Sequence, residues 1–420
     1  MLDIKFIREN KEVVKKAAKD KGIDLDLEKL LDLDEKRRKL ITETDVLRAK
    51  RKEASAKRDI DIGKELKVKL GKLEDELKKI ESEFGELLLF VPNIPSENTP
   101  IGGAEAYKII TTWGQPPKFD FEVRDHITLG KSLGLIDLER GAKVAGYRGY
   151  FLKNEAVLMQ AGLLRLAVKK MISKGFTPMT TPVLVREFAL EGSGHFPGDR
   201  QEIYEVEEFG GKDKEKKYLT GTAEPALLAY HADEVLNEKD LPVKLCGISS
   251  CYRREVGGYG KDTKGLYRVH EFIKVEQVVL GKNDLTDSEK LFEEMNQTAQ
   301  EFLRELELPH RVVQVSSRDM GSGKFKMYDI ETWMPSRNGY GETHSNSNLN
   351  DWQARRFNIR YRAKSGKLEF VHTLNNTVIA SPRILVAIIE NYQQANGSVK
   401  VPKVLQEFVG KDVINGNRAA

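Results

Sequence analysis

Between residues 66 and 87 apolar side chains recur as Leu66, Leu70, Leu73, Leu77, Ile80, Phe84 and Leu87, in alternating steps of four and three. That spacing keeps a single apolar seam turned toward a partner along the whole helix. A second set, Leu33, Leu40, Leu47 and Ala54, holds one heptad position, while its companion position carries Arg37, Thr44 and Arg51. Two long helices are therefore expected between Leu27 and about Leu88, a stretch without proline and with interspersed charges of both signs. "DIDIG" at 59–63 interrupts the pattern, and Gly63 offers a place to reverse the chain. The expectation is an antiparallel helical hairpin, a coiled-coil arm with its tip near residue 60. "FVPNIPSENTPIGG" at 90–103, with three prolines and a glycine pair, reads as the linker that ends the arm.

Beyond the linker the pattern changes to mixed helix and strand. "EAVLMQAGLLRLAVKKMISKG" places apolar residues on one helical face and stops at Gly175, and "FTPMTTPVLV" follows as a strand entered through Pro178 and Pro182. A long helix feeding an edge strand makes a subunit contact plausible. A helix from about Glu224, two paired strands around 251–272, a helix from about Ser288 to Leu306 and a closing strand and helix in "VHTLNNTVIASPRILVAIIENYQ" complete the reading. Neighbouring strands with helices set between runs of strand indicate an α+β fold with a largely antiparallel sheet. The division expected is 1–100 for the arm and 101–420 for the main domain.

Composition narrows the chemistry. The 420 residues carry 69 Lys and Arg against 65 Asp and Glu, a formal charge of +4, so any polyanion site must be local. Cys246 and Cys251 lack a CxxC spacing and the seven histidines form no paired cluster, which argues against a disulfide scaffold or structural zinc and fits a reducing, cytoplasmic setting. No apolar run approaches the ~18 residues of a membrane span. Neither GxxxxGK[ST] nor a GxGxxG between strand and helix is present. Near the arm's tip, Arg48, Lys50, Arg51, Lys52, Lys57 and Arg58 face only Glu53 in the local sequence, which reads either as a solvated basic face or as a contact to a phosphate backbone.

"CYRREVGGYGKDTKGLYRVHEF" at 251–272 is the most informative stretch. From Leu266 onward, strand alternation sets Val269, Ile273, Val275 and Val279 on one face and Arg268, Phe272 and Glu276 on the other, and Arg253 and Glu255 share a face of the preceding strand. The first group suits a core. The second makes a floor of alternating charge around one ring, which fits a nucleotide, since a guanidinium pairs with a phosphate or carboxylate and a ring stacks on a purine. The glycine-rich loop 257–265 could fold over it. An exposed strand pair with cross-strand ion pairs remains the alternative.

The stretch resembles motif 2 of the class II aminoacyl-tRNA synthetases, and specifically that of the seryl-tRNA synthetase family. "NIPSENTPIGG", "DHITLGKSLGLID", "TGTAEPALLAYH", "GLYRVHEFIKVEQ", "YDIETWMPSRNGYGETHSNSNLNDWQARR" and "TLNN" followed by "ENYQQANG" match in the family's order, as does the helical hairpin, so the resemblance covers nearly the whole chain. It implies a tRNA-binding arm followed by a class II catalytic domain with a mainly antiparallel sheet flanked by helices. It also implies ATP-dependent ligation of L-serine to tRNA(Ser) through a seryl-adenylate, in a cytoplasmic homodimer.

The residue roles implied by the family are these. Arg253 and Arg383 are catalytic and bind ATP, with Arg254, Glu255, Arg268, Phe272, Glu342, Thr343, His344 and Ser345 completing the ATP site. Thr222, Ala223, Glu224, Arg253, Glu276 and Thr377 bind serine. Glu342 and Ser345 hold Mg2+, and the basic tip contacts the variable arm of the tRNA. Asn376, Val378 and Pro382 depart from the family's small residues near Thr377, His344 from a usual serine and Lys261 from a usual arginine; the added side chains would either narrow the serine pocket or alter the strand's backbone.

Overall fold

A computed structural model describes residues 1–207, 215–256 and 264–416. The chain divides into two compact units, Met1–Ile94 and Pro95–Ala420.

The first unit begins with α1 (Ile4–Glu9) and α2 (Lys11–Lys21), followed by two 30-residue helices, α3 (Leu27–Ala56) and α4 (Ile60–Leu89). Asp26 and Asp59 start the long helices by accepting backbone N–H bonds from Lys29 and Ile62, which satisfies donors that a helix terminus otherwise leaves open. Of the expected seam, Leu33, Leu40, Ala54, Leu70 and Phe84 are buried, and Leu47, Leu66, Leu73, Leu77, Ile80 and Leu87 are half-buried. The weak companion position is used too, because Arg37 lies over the Phe84 ring and reaches Glu81 at 3.3 Å. The helices break at 57–59, near the expected tip, but Arg58, at φ +57°, turns the chain there and Gly63 sits inside α4. An aspartate cap directly after a left-handed residue stops one helix and starts the next, so no glycine is needed.

All six basic residues near the tip are exposed. Arg48 pairs with Glu74 at 2.9 Å and Lys57 with Glu53 at 2.7 Å. Lys50, Arg51, Lys52 and Arg58 have no carboxylate within 4.0 Å among the described residues.

The second unit is built on an eight-stranded sheet made of β1 (Lys108–Trp113), β2 (Thr177–Thr180), β3 (Val243–Tyr252), β4 (Glu271–Gly281), β5 (His310–Gln314), β6 (Lys326–Met334), β7 (Gly339–Asn348) and β8 (His372–Ala380). Its order is β1-β5-β6-β7-β8-β4-β3-β2, antiparallel throughout except for the parallel pair β2 and β3. The "FTPMTTPVLV" stretch is two strands rather than one: β2 ends at Thr180, and Leu184–Arg186 joins a separate three-stranded sheet. Pro182, with no N–H to offer a ladder, lies between them.

Helices α5 (Glu155–Ser173), α6 (Glu224–Ala229), α7 (Leu285–Glu305), α8 (Trp352–Phe357) and α9 (Ser381–Asn391) pack around the sheet. A main core of apolar side chains joins α5, α7 and α9 to it. Cys246 and Cys251, both on β3, are fully buried and unbonded to each other, and burial pushes the Cys246 thiol up to about 12. Among the described residues no helix is long and apolar enough to cross a membrane.

One row of amides orients the sheet. Gln277, Asn376 and Asn346 are register partners across β4, β8 and β7, and their side-chain amides donate to Met295 O (3.3 and 3.0 Å) and Phe292 O (2.9 Å) on α7. Their sequence neighbours Glu276, Thr377 and Ser345 therefore point the other way, into a cleft.

Candidate active site

That cleft has about 830 Å³ of empty space, counting the solvent at its mouth. Its walls come from β4 (Phe272, Lys274, Glu276), β7 (Glu342, Thr343, Ser345), β8 (Asn375, Thr377, Ala380), the first turn of α9 (Pro382, Arg383) and the start of α6 (Thr222, Glu224), with Arg253 and Glu255 beyond the end of β3.

Strand alternation accounts for only part of the floor. Phe272, Lys274 and Glu276 do alternate along β4, but β3 ends at Tyr252 and β4 begins at Glu271, so Arg253, Glu255 and Arg268 lie outside both strands. Val269, expected in the core alone, also reaches the cleft. Glu255 adopts φ +50°, its carbonyl accepts from Arg148 (2.9 Å), and its carboxylate accepts from Arg268 at 3.1 Å. Arg253 Nε donates to Gly221 O at 3.3 Å, with its guanidinium carbon 5.4 Å from the Phe272 ring centre.

The chain re-enters at Gly265, where φ is +70° and a Cβ would come within 2.1 Å of His126 Nε2. Leu266 N–H donates to that same nitrogen at 3.2 Å, and His126 Nδ1 lies 2.8 Å from Glu390. The expected closure of loop 257–265, and Lys261, lie in 257–263, outside the described residues.

At one end of the cleft, Arg383 Nη1 donates to the Glu342 carboxylate at 3.1 Å and to its carbonyl at 3.0 Å, while Arg383 Nε donates to Tyr267 O at 3.2 Å. Burial works to raise the Glu342 carboxyl, but Arg383 and Arg253 outweigh it and hold it below the ordinary carboxylate value. The acid is thus ionised and half-exposed in the cleft, with the Ser345 hydroxyl on the same wall. Among the described residues no three His, Cys, Asp or Glu side chains are grouped to hold a metal. One carboxylate and one hydroxyl fit a hard divalent ion that takes its other oxygens from water and a phosphate chain.

The opposite end holds two buried acids. Lys274 Nζ sits 2.6 Å from Glu276 Oε2, and Thr377 Oγ1 donates to the same oxygen at 3.4 Å. Burial raises the Glu276 carboxyl, and Lys274 pulls against it without cancelling the rise. Glu224 Oε1 accepts from Gln353 Nε2 (2.7 Å) and Asn375 Nδ2 (2.9 Å), with Thr373 holding Gln353 at 2.6 Å. Sequence reasoning missed Lys274, Asn375, Gln353, Lys324 and His195. Only Lys274 carried a signal, as the third member of the alternation that selects Phe272 and Glu276.

Several sequence-derived site residues stand back from the wall. Ala223 is buried in a secondary core, Arg268 reaches the site through Glu255, and the Arg254 main chain bonds Glu202 at 2.9 Å without its side chain joining the lining. The His344 side chain is buried between strands instead of facing the cleft. Of the three departures near Thr377, Asn376 and Val378 point away, so they do not narrow the pocket, whereas Pro382 lines it.

Comparison with known proteins decides the family. Serine-tRNA ligase of Deinococcus radiodurans is 44% identical over 422 residues, spanning 98% of both chains, and that of Borrelia garinii is 42% identical over 426 residues with the same coverage. This chain belongs to the seryl-tRNA synthetase family. Residues 1–95 match the model of the seryl-tRNA synthetase N-terminal domain, and residues 204–392 match the class II core domain of the synthetases for G, H, P, S and T. The seryl-tRNA synthetase of Pyrococcus horikoshii, solved in complex with ATP, superimposes with a TM-score of 0.88 at 37% identity over 99% of both chains. The Naegleria fowleri cytoplasmic enzyme, solved with AMP, gives 0.86 at 33% identity over 99% of this chain and 98% of its own.

Proposed function

We propose that this chain is a serine-tRNA ligase that joins L-serine to tRNA(Ser) at the expense of ATP, through a seryl-adenylate, releasing AMP and pyrophosphate. The observation that carries this reading is the polarity of the cleft: Arg383 is paired with Glu342 at one end, the buried acids Glu224 and Glu276 stand at the other, and Arg253 lines the same space over Phe272. Phe272 stacks on the adenine and Glu255 accepts from its amine. Arg253 bridges the α-phosphate and the serine carboxylate, holding the carboxylate oxygen in line with phosphorus. Attack forms the acyl-phosphate bond as pyrophosphate leaves, and Arg253 and Arg383 offset the charge that develops.

Glu342 and Ser345 would hold Mg2+, which when bound would neutralise phosphate charge. Arg268 stands by the phosphates from its anchor on Glu255. Glu224, with the Thr222 to Glu224 segment, takes the serine ammonium, and Glu276 with Thr377 takes the hydroxyl. Alanine or glycine would leave those buried groups unpaired, a loss of about 1–3 kcal/mol for each. The 3′-hydroxyl of the tRNA terminus then attacks the activated carbonyl and releases AMP.

Residues 1–100 form the tRNA-binding domain and 101–420 the catalytic one. Lys50, Arg51, Lys52 and Arg58, free of acidic partners among the described residues, support the arm as a contact for the variable arm of the tRNA, with Arg48 and Lys57 beside them. Exposed Val157, Leu158 and Ile172 on α5, next to edge strand β2, support a homodimer. Two free, buried thiols suit the cytoplasm. ATP–pyrophosphate exchange without tRNA, run with serine, threonine, alanine and glycine, tests the reaction. Exchange with serine alone is expected, and no exchange with any of them would overturn the reading.

A further inference from the structure

Two β-bulges sit side by side at the centre of the cleft. On β7, His344 pairs with Ile330 and Glu342 with Glu331, so Thr343 is an extra residue against β6. On β8, Ile379 pairs with Val275 and Thr377 with Glu276, so Val378 is an extra residue against β4. Between β7 and β8 themselves the ladder runs only through Asn346–Asn376, Ser347–Asn375 and Asn348–Leu374, and stops before either bulge. The His344 side chain fills the gap. Its Nε2 lies 3.0 Å from Val378 O and its Nδ1 2.9 Å from Thr343 Oγ1, with the residue 1% exposed. A carbonyl only accepts, so Nε2 carries the proton and Nδ1 faces the Thr343 hydroxyl as an acceptor, in competition with Ile330 O at 3.1 Å for its single proton; the Thr343 oxygen is also 2.8 Å from that of Thr332 on β6.

Bulges re-aim the side chains beside them. Here the residues re-aimed are Glu342 on one strand and Thr377 on the other, with Ser345 and Arg383 close behind. We propose that His344 is a positioning residue that ties the Thr343 and Val378 bulges together and so fixes the phosphate end of the cleft relative to the amino-acid end. The roles of the two ends rest on the proposed reaction; the clamp does not.

Glu342 and Ser345 keep their strand β7, and Thr377 and Arg383 keep β8 and the helix that follows it, so loss of the clamp misaligns two bound substrates without evicting either. His344→Phe keeps a planar ring, somewhat larger, and removes both hydrogen bonds; His344→Gln keeps an amide N–H for Val378 O. In pyrophosphate exchange His344→Phe is expected to lower kcat about 10- to 100-fold with both KM values within about threefold, as an ångström of misplacement does. His344→Gln is expected to restore most of kcat. A folded Phe variant with kcat within about twofold of the parent, a Gln variant as slow as Phe, or a loss confined to KM overturns the proposal.

Nitrogen-15 histidine NMR on the full chain gives an answer that needs neither variant folding nor turnover. A slowly exchanging Nε2–H tautomer at His344 supports the clamp, and an Nδ1–H tautomer or a rapidly exchanging proton refutes it. A parent inert in exchange would defeat the proposed reaction and leave the NMR result to judge the clamp.

Discussion

Lys274 holds its ammonium 2.6 Å from the Glu276 carboxylate at the floor of the cleft, with both side chains more than nine-tenths buried. Removing one partner of such a pair leaves the other as an uncompensated buried charge, which costs several kcal/mol unless it takes up a proton. Lys274→Met is therefore expected to push the Glu276 carboxyl further above its ordinary value. In the proposed site a protonated Glu276 would pair less well with serine, so KM for serine should rise about tenfold or more near neutral pH and recover partly as pH increases. Serine titrations of pyrophosphate exchange across pH check this; a rise in KM for ATP alone would contradict it.

Arg253→Ala removes a guanidinium that stands over Phe272 and, in the proposed reaction, faces the charge developing at phosphorus. Loss of one such donor typically costs about 10²- to 10³-fold in rate. Single-turnover adenylate formation should fall by that much with the thermal midpoint nearly unchanged, and adenylate formed at the parent rate would remove Arg253 from the reaction.

Alanine at Lys50, Arg51, Lys52 and Arg58 together should weaken tRNA affinity and flatten its salt dependence by roughly 0.7 to 0.9 for each phosphate left without its cation. Pyrophosphate exchange, which needs no tRNA, should stay at the parent level. Filter binding across a salt series measures the slope, and an unaltered slope would return the basic tip to a solvated face.

Glu390 accepts from the backbone N–H groups of His126 and Ser336, both at 3.0 Å, and lies 2.8 Å from His126 Nδ1. Burial alone would raise its carboxyl, but His126 and the Ser336 amide hold it below the ordinary glutamate value. The unfolded chain then binds more protons than the folded one around pH 4 to 5, so the stability supplied by Glu390 is present above about 4.3 and lost as pH falls through the lower folded value. Glu390→Gln should be less stable than the parent near neutral pH, with the gap shrinking as pH falls to about 3.5. Thermal melts over that range test the sign, and a gap that widens in acid would reverse the assignment.

The arm was readable from its heptads because a seam of alternating fours and threes has one structural meaning, and burial of Leu33, Leu40, Ala54, Leu70 and Phe84 follows it. Its turn was not, since the left-handed residue is Arg58 and a search for glycine passes over it. In the catalytic unit, Phe272 and Glu276 share a wall because they stand on a true strand. Arg253, Glu255 and Arg268 reach the same space by loop geometry, which alternation cannot foresee. Gln353 and Asn375 belong to segments distant from Glu224 in sequence, and only the folded chain brings three amide and carboxylate groups together. The misreading of Asn376 has the same root: two adjacent residues on β8 face opposite sides, and α7 claims that one.

Cys246 and Cys251 are the only sulfhydryls in the chain, both are wholly enclosed in β3, and Cys246 resists ionisation below about pH 12. Alkylating dyes and mild oxidants attack the thiolate, so the folded protein is close to inert toward them. A single cysteine introduced on an exposed turn would consequently be the one site to accept a label, and a fluorophore there would report on that position without any background from the native thiols.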